Sequence, residues 1–182
     1  MKHVYDDGGR AAAGYKGKAG DCVCRAVAIA SGLPYRAVYE VLARETGNQR
    51  ATKRAAKRSR SARNGVNVKR KWFKNYMQSL GFVWTPTMQI GSGCKVHLHD
   101  GELPTGRLVV SVSGHHTAVI NGVIHDTYDP QRATIICENG VERIARRCVY
   151  GYWRQECETS RDITSPANKA RFAKLSKTIG PI

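Results

Sequence analysis

Apolar patterning changes once along this chain, at Gly81, and that change restricts the possible folds more than any other feature. Before Gly81, apolar residues recur at helical spacing. Asp21 precedes the Ala-, Val- and Ile-rich run Cys22–Ser31, and Gly32 follows it. Asp suits an N-cap and Gly the residue after a helix, so a helix is expected over 22–31. Only Arg25 breaks its apolar composition, which places it in the core. Pro34 opens a second helix over 35–46, with Ala37, Val38, Val41 and Leu42 in an amphipathic pattern and Gly47 as its stop. A third helix is expected over 69–80, with Trp72, Phe73, Tyr76 and Leu80 on one side.

After Gly81 come short β-branched or aromatic runs: 82–85, 95–98, 107–113, 115–120, 123–128, 133–137 and 147–153. Gly, Pro, Asn or Asp separates them, so they read as strands. Helices first and strands second argue for an α+β domain, with N-terminal helices packed on a C-terminal antiparallel β-sheet. A chain of 182 residues fits one domain with tails. Residues 1–20 read as an irregular, Gly-rich lead-in and 21–155 as the domain. The stretch 49–64 reads as a basic surface insertion or frayed helix. Residues 156–182 read as a basic tail, with a short helix near 168–175.

Charge is unevenly placed. The formal net charge is +16, and no acid occurs between Glu45 and Asp100. Arg50, Lys53, Arg54, Lys57, Arg58, Arg60, Arg63, Lys69, Arg70 and Lys71 fall inside that gap. Such a block can neutralise phosphates and release counterions, so a nucleic acid is a plausible partner; a solvated loop has the same composition. Aromatics alternate with basic residues at Lys71-Trp72-Phe73-Lys74, a pattern that can stack bases but that at helical spacing more often builds core. No stretch is apolar for long enough to span a bilayer, so no membrane partner is expected. The polar start, Met1–Arg10, does not resemble a signal peptide, and an intracellular or particle-borne product is the expectation.

Six cysteines occur, at 22, 24, 94, 137, 148 and 157. Without an export signal they are expected to be reduced thiols. Cys94, His97 and His99 form C-x₂-H-x-H, whose side chains can ligate zinc. A fourth ligand is not obvious, with Cys22 and Cys24 or Asp100 as the candidates, so the segment reads as a strand that contains histidines, and neither a metal nor another cofactor is assigned.

Asn121-Gly122, between two β-like runs, is a strong signal for a two-residue hairpin turn. It sets the register: Ile120 opposite Val123, Ala118 opposite His125, Thr117 opposite Asp126, His116 opposite Thr127 and His115 opposite Tyr128. Side chains alternate between faces, so His115, Thr117, Val119, Ile124, Asp126 and Tyr128 share one side. His115 and Asp126 are then diagonal neighbours about 7–8 Å apart at the backbone. The carboxylate can hold the imidazole tautomer and stabilise its protonated form. His116 points the other way. Two ordinary strand residues would have the same pattern.

Cys22 would be the first residue of helix 1. A thiol there feels the positive helix end, which favours thiolate, and a nearby imidazolium would complete its activation. Asp21 opposes this unless its carboxylate is spent on capping. Cys24 lies about 200° around the helix, so the two thiols cannot face one partner. Both can equally be small buried hydrophobes.

The pieces GDCVCRAVAIASG and SGHHTAVINGVIHDTYD resemble the papain-like cysteine peptidase superfamily: a Cys opening a buried Ala-rich helix, then His-x-x-Ala-Val on a strand, then an acid on the next. They are similar to papain-type enzymes in the order Cys, His, Asn/Asp, and to bacteriocin-leader peptidases in having Asp third. They also resemble small bacterial and phage proteins with the same helix and hairpin. The likeness covers about 20–153. It implies a papain-like fold with Cys22 as nucleophile, His115 as general base and acid, and Asp126 as the orienting residue. It also implies a protein or peptide substrate, and a cytoplasmic product or one carried within a phage particle. The papain pattern places an oxyanion-hole Gln shortly before the Cys. None occurs between Arg10 and Asp21, so Lys16 or a distant residue such as Gln89 would have to substitute.

Two functions follow. One is a thiol hydrolase, a peptidase or amidase, or an acyltransferase using Cys22, His115 and Asp126. The other is a basic nucleic-acid-associated phage or particle protein on an inactive peptidase-like scaffold.

Overall fold

The computed structural model describes residues 1–48, 61–89, 91–138 and 141–156. Strand β1 (Lys2–Tyr5) is followed by helices α1 (Cys22–Ser31), α2 (Tyr35–Gly47) and α3 (Lys71–Ser79). Then come β2 (Phe82–Pro86), β3 (Arg107–Val112), β4 (His115–Ile120), β5 (Val123–Asp126), β6 (Ala133–Glu138), β7 (Val141–Arg146) and β8 (Val149–Gln155). Six strands form one sheet in the order β1-β5-β4-β3-β8-β2, and β6 and β7 pair separately. The class is α+β, with the helices before all strands but one.

Several expectations are corrected. The lead-in contains β1, which pairs parallel to β5, so the sheet is mixed rather than antiparallel. A four-residue edge strand with no buried side chain gives little periodic signal, so the segment reads as irregular from sequence. The run 95–98 forms no strand; only a bridge between His97 and Cys148 occurs there. β7 was not expected. The basic stretch 49–60 and the tail 157–182, including the expected helix near 168–175, lie outside the described residues, as do Arg50, Lys53, Arg54, Lys57, Arg58 and Arg60.

The sheet is covered on both faces. On one, Val23, Cys24, Ala26, Val27 and Ala30 of α1 pack with Val38, Leu42, Phe73 and Met77 of the other helices and with Val109, Ala118 and Trp153 of the strands. On the other, Leu108, Val110, Val112, Val119, Ile124 and Val149 pack under Leu98. β3 thus buries both its faces, and accordingly has the run Leu-Val-Val rather than strict alternation. Burying each such side chain contributes about 1.5–3 kcal/mol.

Arg107 ties α1 to the sheet. Its guanidinium donates to the carbonyls of Ala30 at 2.5 Å and Ile29 at 2.6 Å, satisfying the C-terminal end of the helix from β3. Gly32 closes α1 at φ 73°, as its Gly signal anticipates. Among the described residues no helix is long and apolar enough to cross a membrane.

Candidate active site

α1 lies across β4, and the register of the hairpin decides which side chains meet it. β4 and β5 pair as Ala118–His125, Val119–Ile124 and Ile120–Val123, as the Asn121-Gly122 turn implies. Asn121 sits at φ 48° and Gly122 at φ 81°, the left-handed pair that a type I′ turn needs. The expected pairs beyond Ala118 do not form. The β4–β5 ladder ends at Ala118–His125, and on its other edge β5 goes on pairing with β1 as far as Asp126, opposite Tyr5.

His115 and Asp126 make their diagonal contact just beyond the end of this ladder. His115 Nε2 lies 2.6 Å from Asp126 Oδ2, and both residues are buried. Asp126 Oδ1 accepts the Thr127 backbone N–H at 2.7 Å, which fixes the carboxylate. Tyr128 stands beside the imidazole with ring centroids 5.0 Å apart. Arg147, buried, donates to Ser113 O at 2.6 Å and to Pro130 O at 2.9 Å, holding the β3–β4 turn from which His115 emerges. No sequence pattern marked Arg147, whose partners are backbone carbonyls far along the chain.

Cys22 opens α1, half-buried, in a narrow crevice between helix and sheet shared with Arg25, Ile29, His116, Ala118 and Asp126. Burial alone would raise its pKa. Hydrogen bonding from His115 and then from His116, with the charge on His115 and the His116 backbone N–H, outweighs burial and pulls the thiol down to about 6. His115 responds in kind. Burial favours its neutral form, but hydrogen bonds and charge from Asp126 and Cys22 push it up to about 9. Asp126 is held below the usual carboxylate range: burial opposes this, but the His115 hydrogen bond and charge dominate. At neutral pH the three groups are therefore thiolate, imidazolium and carboxylate. With Nε2 on Asp126, the other ring nitrogen, Nδ1, is the one left for sulfur.

Cys24 is fully buried, and desolvation drives its thiol upward, so it stays protonated and inert. Asp21 caps α1 by position, but its side chain makes no capping hydrogen bond. Its carboxylate is taken instead by Arg10 Nε at 2.8 Å, Arg25 at 3.2 Å and the Tyr35 hydroxyl. Two guanidiniums thus neutralise the acid next to the nucleophile. The Arg10–Asp21–Tyr35 link spans three separate segments, which local patterning does not reveal. Neither Lys16 nor Gln89 lines the crevice; both are exposed.

The other candidates lie apart. Cys94 and Cys148 form a disulfide, so the expectation of reduced thiols is overturned for this pair, and Cys94 offers no thiolate to a metal. The signal was hidden because 54 positions separate them. His97 Nδ1 meets Glu102 at 3.0 Å and His99 Nδ1 the Asp100 carbonyl at 3.1 Å. Among the described residues no group of three or more His, Cys, Asp or Glu side chains is placed to hold a metal. Arg63, Lys69, Arg70 and Lys71 are exposed, and the Arg63 guanidinium donates to Lys18 O at 3.2 Å. Phe73, between the basic residues, is core rather than a stacking surface.

No protein-family model, curated protein or solved structure matches the chain.

Proposed function

We propose that this protein is a thiol hydrolase, a peptidase or amidase, or an acyltransferase, acting through Cys22, His115 and Asp126 on a papain-like scaffold. The observation that carries the reading is the buried 2.6 Å contact between His115 Nε2 and Asp126 Oδ2, in a site where the two histidines draw the Cys22 thiol at the helix start down to about 6. The start of α1 and the β4–β5 hairpin, far apart in sequence, supply these groups, and Cys24, the second thiol of the same helix, is fully buried.

In this reading the Cys22 thiolate adds to a substrate carbonyl carbon. The carbonyl π pair moves to oxygen, and the helix-end N–H of Cys22 faces the charge that develops there. His115, already protonated, gives its Nδ1 proton to the leaving amine as the C–N bond breaks. A thioester remains on Cys22. Water, or an acceptor amine in a transferase, then attacks the thioester with its proton passing to His115, and sulfur leaves as thiolate. Asp126 keeps the ring oriented and its charge stabilised throughout. No step requires a cofactor. A protein or peptide substrate, in the cytoplasm or within a phage particle, fits this chemistry.

The test is the pH dependence of Cys22 alkylation by iodoacetamide, in the native protein and in His115→Ala. The native midpoint is expected near pH 6, and the variant's above about 8.5, where an unassisted thiol titrates. A midpoint that ignores His115 would sink the triad reading.

A second reading has its own support in the net charge of +16 and the exposed Arg63, Lys69, Arg70 and Lys71. It is a nucleic-acid-associated role, such as a phage or particle protein, and it makes no demand on Cys22.

A further inference from the structure

His116 lines the crevice but has no part in the triad. It follows His115 in β4, so its side chain leaves the strand on the other face, the one on which α1 packs. There it shares the crevice with Cys22, and both its ring and its backbone N–H bear on the thiol.

The main chain leaves that N–H outside both neighbouring ladders. Val112 and His115 close a two-residue hairpin over Ser113-Gly114, and the next pair is Ser111 with His116. In an antiparallel ladder, pairs that exchange both backbone hydrogen bonds alternate with pairs that exchange none. The closing pair is bonded, so the Ser111–His116 pair is not, and the His116 N–H turns away from β3 toward the β5 side. The β4–β5 ladder reaches only Ala118, two residues short of His116. The N–H therefore emerges beyond the end of the β4–β5 ladder, beside the crevice that Cys22 and His116 both line.

We infer that His116 supplies the oxyanion hole, its ring and its backbone N–H donating, together with the Cys22 N–H, to the oxygen of a carbonyl under attack by Cys22. The inference rests on the proposed thiol chemistry. Its physical basis is that the reacting carbon bonds to Sγ, so the carbonyl oxygen develops within a bond or two of the space that the donors to the resting thiolate already face. Such donors need no reorganisation when the charge appears. They also occupy the role that a Gln side chain has in the papain pattern and that neither Lys16 nor Gln89 reaches here.

Two reagents separate this role from simple thiol activation. With iodoacetamide, Sγ displaces iodide from a saturated carbon: a C–S bond forms, the C–I pair leaves with iodide, and no oxyanion arises. With p-nitrophenyl acetate, Sγ adds to the carbonyl carbon and the π pair moves to oxygen. Collapse then expels p-nitrophenolate with the C–O pair and leaves an acetyl thioester on Cys22. Both rates are read on the pH plateau above the Cys22 midpoint, so that the thiolate fraction cancels in their ratio. Loss of one oxyanion donor lowers a rate by about 100-fold or more. In His116→Ala the ratio of acylation to alkylation is expected to fall by about that factor. In His116→Gln, which keeps a side-chain N–H donor at similar reach, most of the ratio should return. An unchanged ratio in His116→Ala, or an equal fall in both variants, overturns the inference while leaving the triad intact. A Cys22 inert to both reagents in the native protein overturns the triad and the inference together.

Discussion

Asp126→Asn separates charge from geometry at this site. The amide oxygen of Asn can accept the same hydrogen bond from His115 Nε2, now 2.6 Å from Asp126 Oδ2, but it carries no charge. In the native site Cys22 titrates at about 6 and His115 at about 9, so the thiolate–imidazolium pair persists across 9 − 6, about three pH units. The site is buried, His115 being 6% and Asp126 4% exposed, so solvent screens the charge little. One opposite charge at hydrogen-bond distance moves a pKa by about 1–3 units. His115 is therefore expected to drop by about 2 units, to roughly pH 7. The lower limit should stay within a unit of its native value, since it is set by the imidazolium beside Cys22, and the window shrinks to about one unit. The His115 Hε1 proton resonance followed from pH 4.5 to 10 reads the upper limit, and iodoacetamide alkylation reads the lower one. A His115 midpoint unmoved in Asp126→Asn would show that the ring owes its ionisation to something other than this carboxylate, and would refute the reasoning.

Three further outcomes are expected. Reducing the Cys94–Cys148 disulfide, which closes a loop spanning 54 positions, should cost about 3–4 kcal/mol in urea denaturation; peptide mapping that finds both thiols free in the untreated protein would refute the pairing. Gly151→Ala would set a Cβ 2.3 Å from the Trp84 ring and 2.8 Å from the Thr85 carbonyl oxygen. Overpacking of this kind costs about 1–3 kcal/mol, so an unchanged urea midpoint would show that β2 shifts aside freely. Replacing Arg63, Lys69, Arg70 and Lys71 by Ala should flatten the slope of log affinity against log salt for duplex DNA by about 3–4 if all four contact phosphates. An unchanged slope would remove them from any nucleic-acid surface.

The hairpin shows how far a local signal reaches. Asn121-Gly122 requires two left-handed residues, and few sequences meet that need, so the turn and the pairing nearest it were legible. Alternation then placed His115 and Asp126 on one side without reference to any other segment. The signal faded with distance from the turn. Pairing beyond Ala118 was expected and is absent: the β4–β5 ladder stops at Ala118–His125, and nothing within the hairpin marks that end. Helix α1 was legible for a similar reason: Asp21 and Gly32 bound a run that is apolar almost throughout. What Asp21 does was not, since its partners Arg10, Arg25 and Tyr35 are chosen by packing rather than by capping geometry.

By itself the sequence determined the order of helices and strands after the lead-in, the α1 and hairpin boundaries to within a residue or two, and the choice of the three residues of the candidate triad. These depend on periodicity, caps and turn residues, which act over a few positions along the chain. The tertiary structure alone decided that β1 joins the sheet in parallel, that Cys94 bonds Cys148, that Arg147 pins the turn before His115, and that His116 faces Cys22. Each of these joins segments tens of residues apart, and contacts at that range are selected by the complementarity of the whole packed core, which no local stretch of sequence encodes.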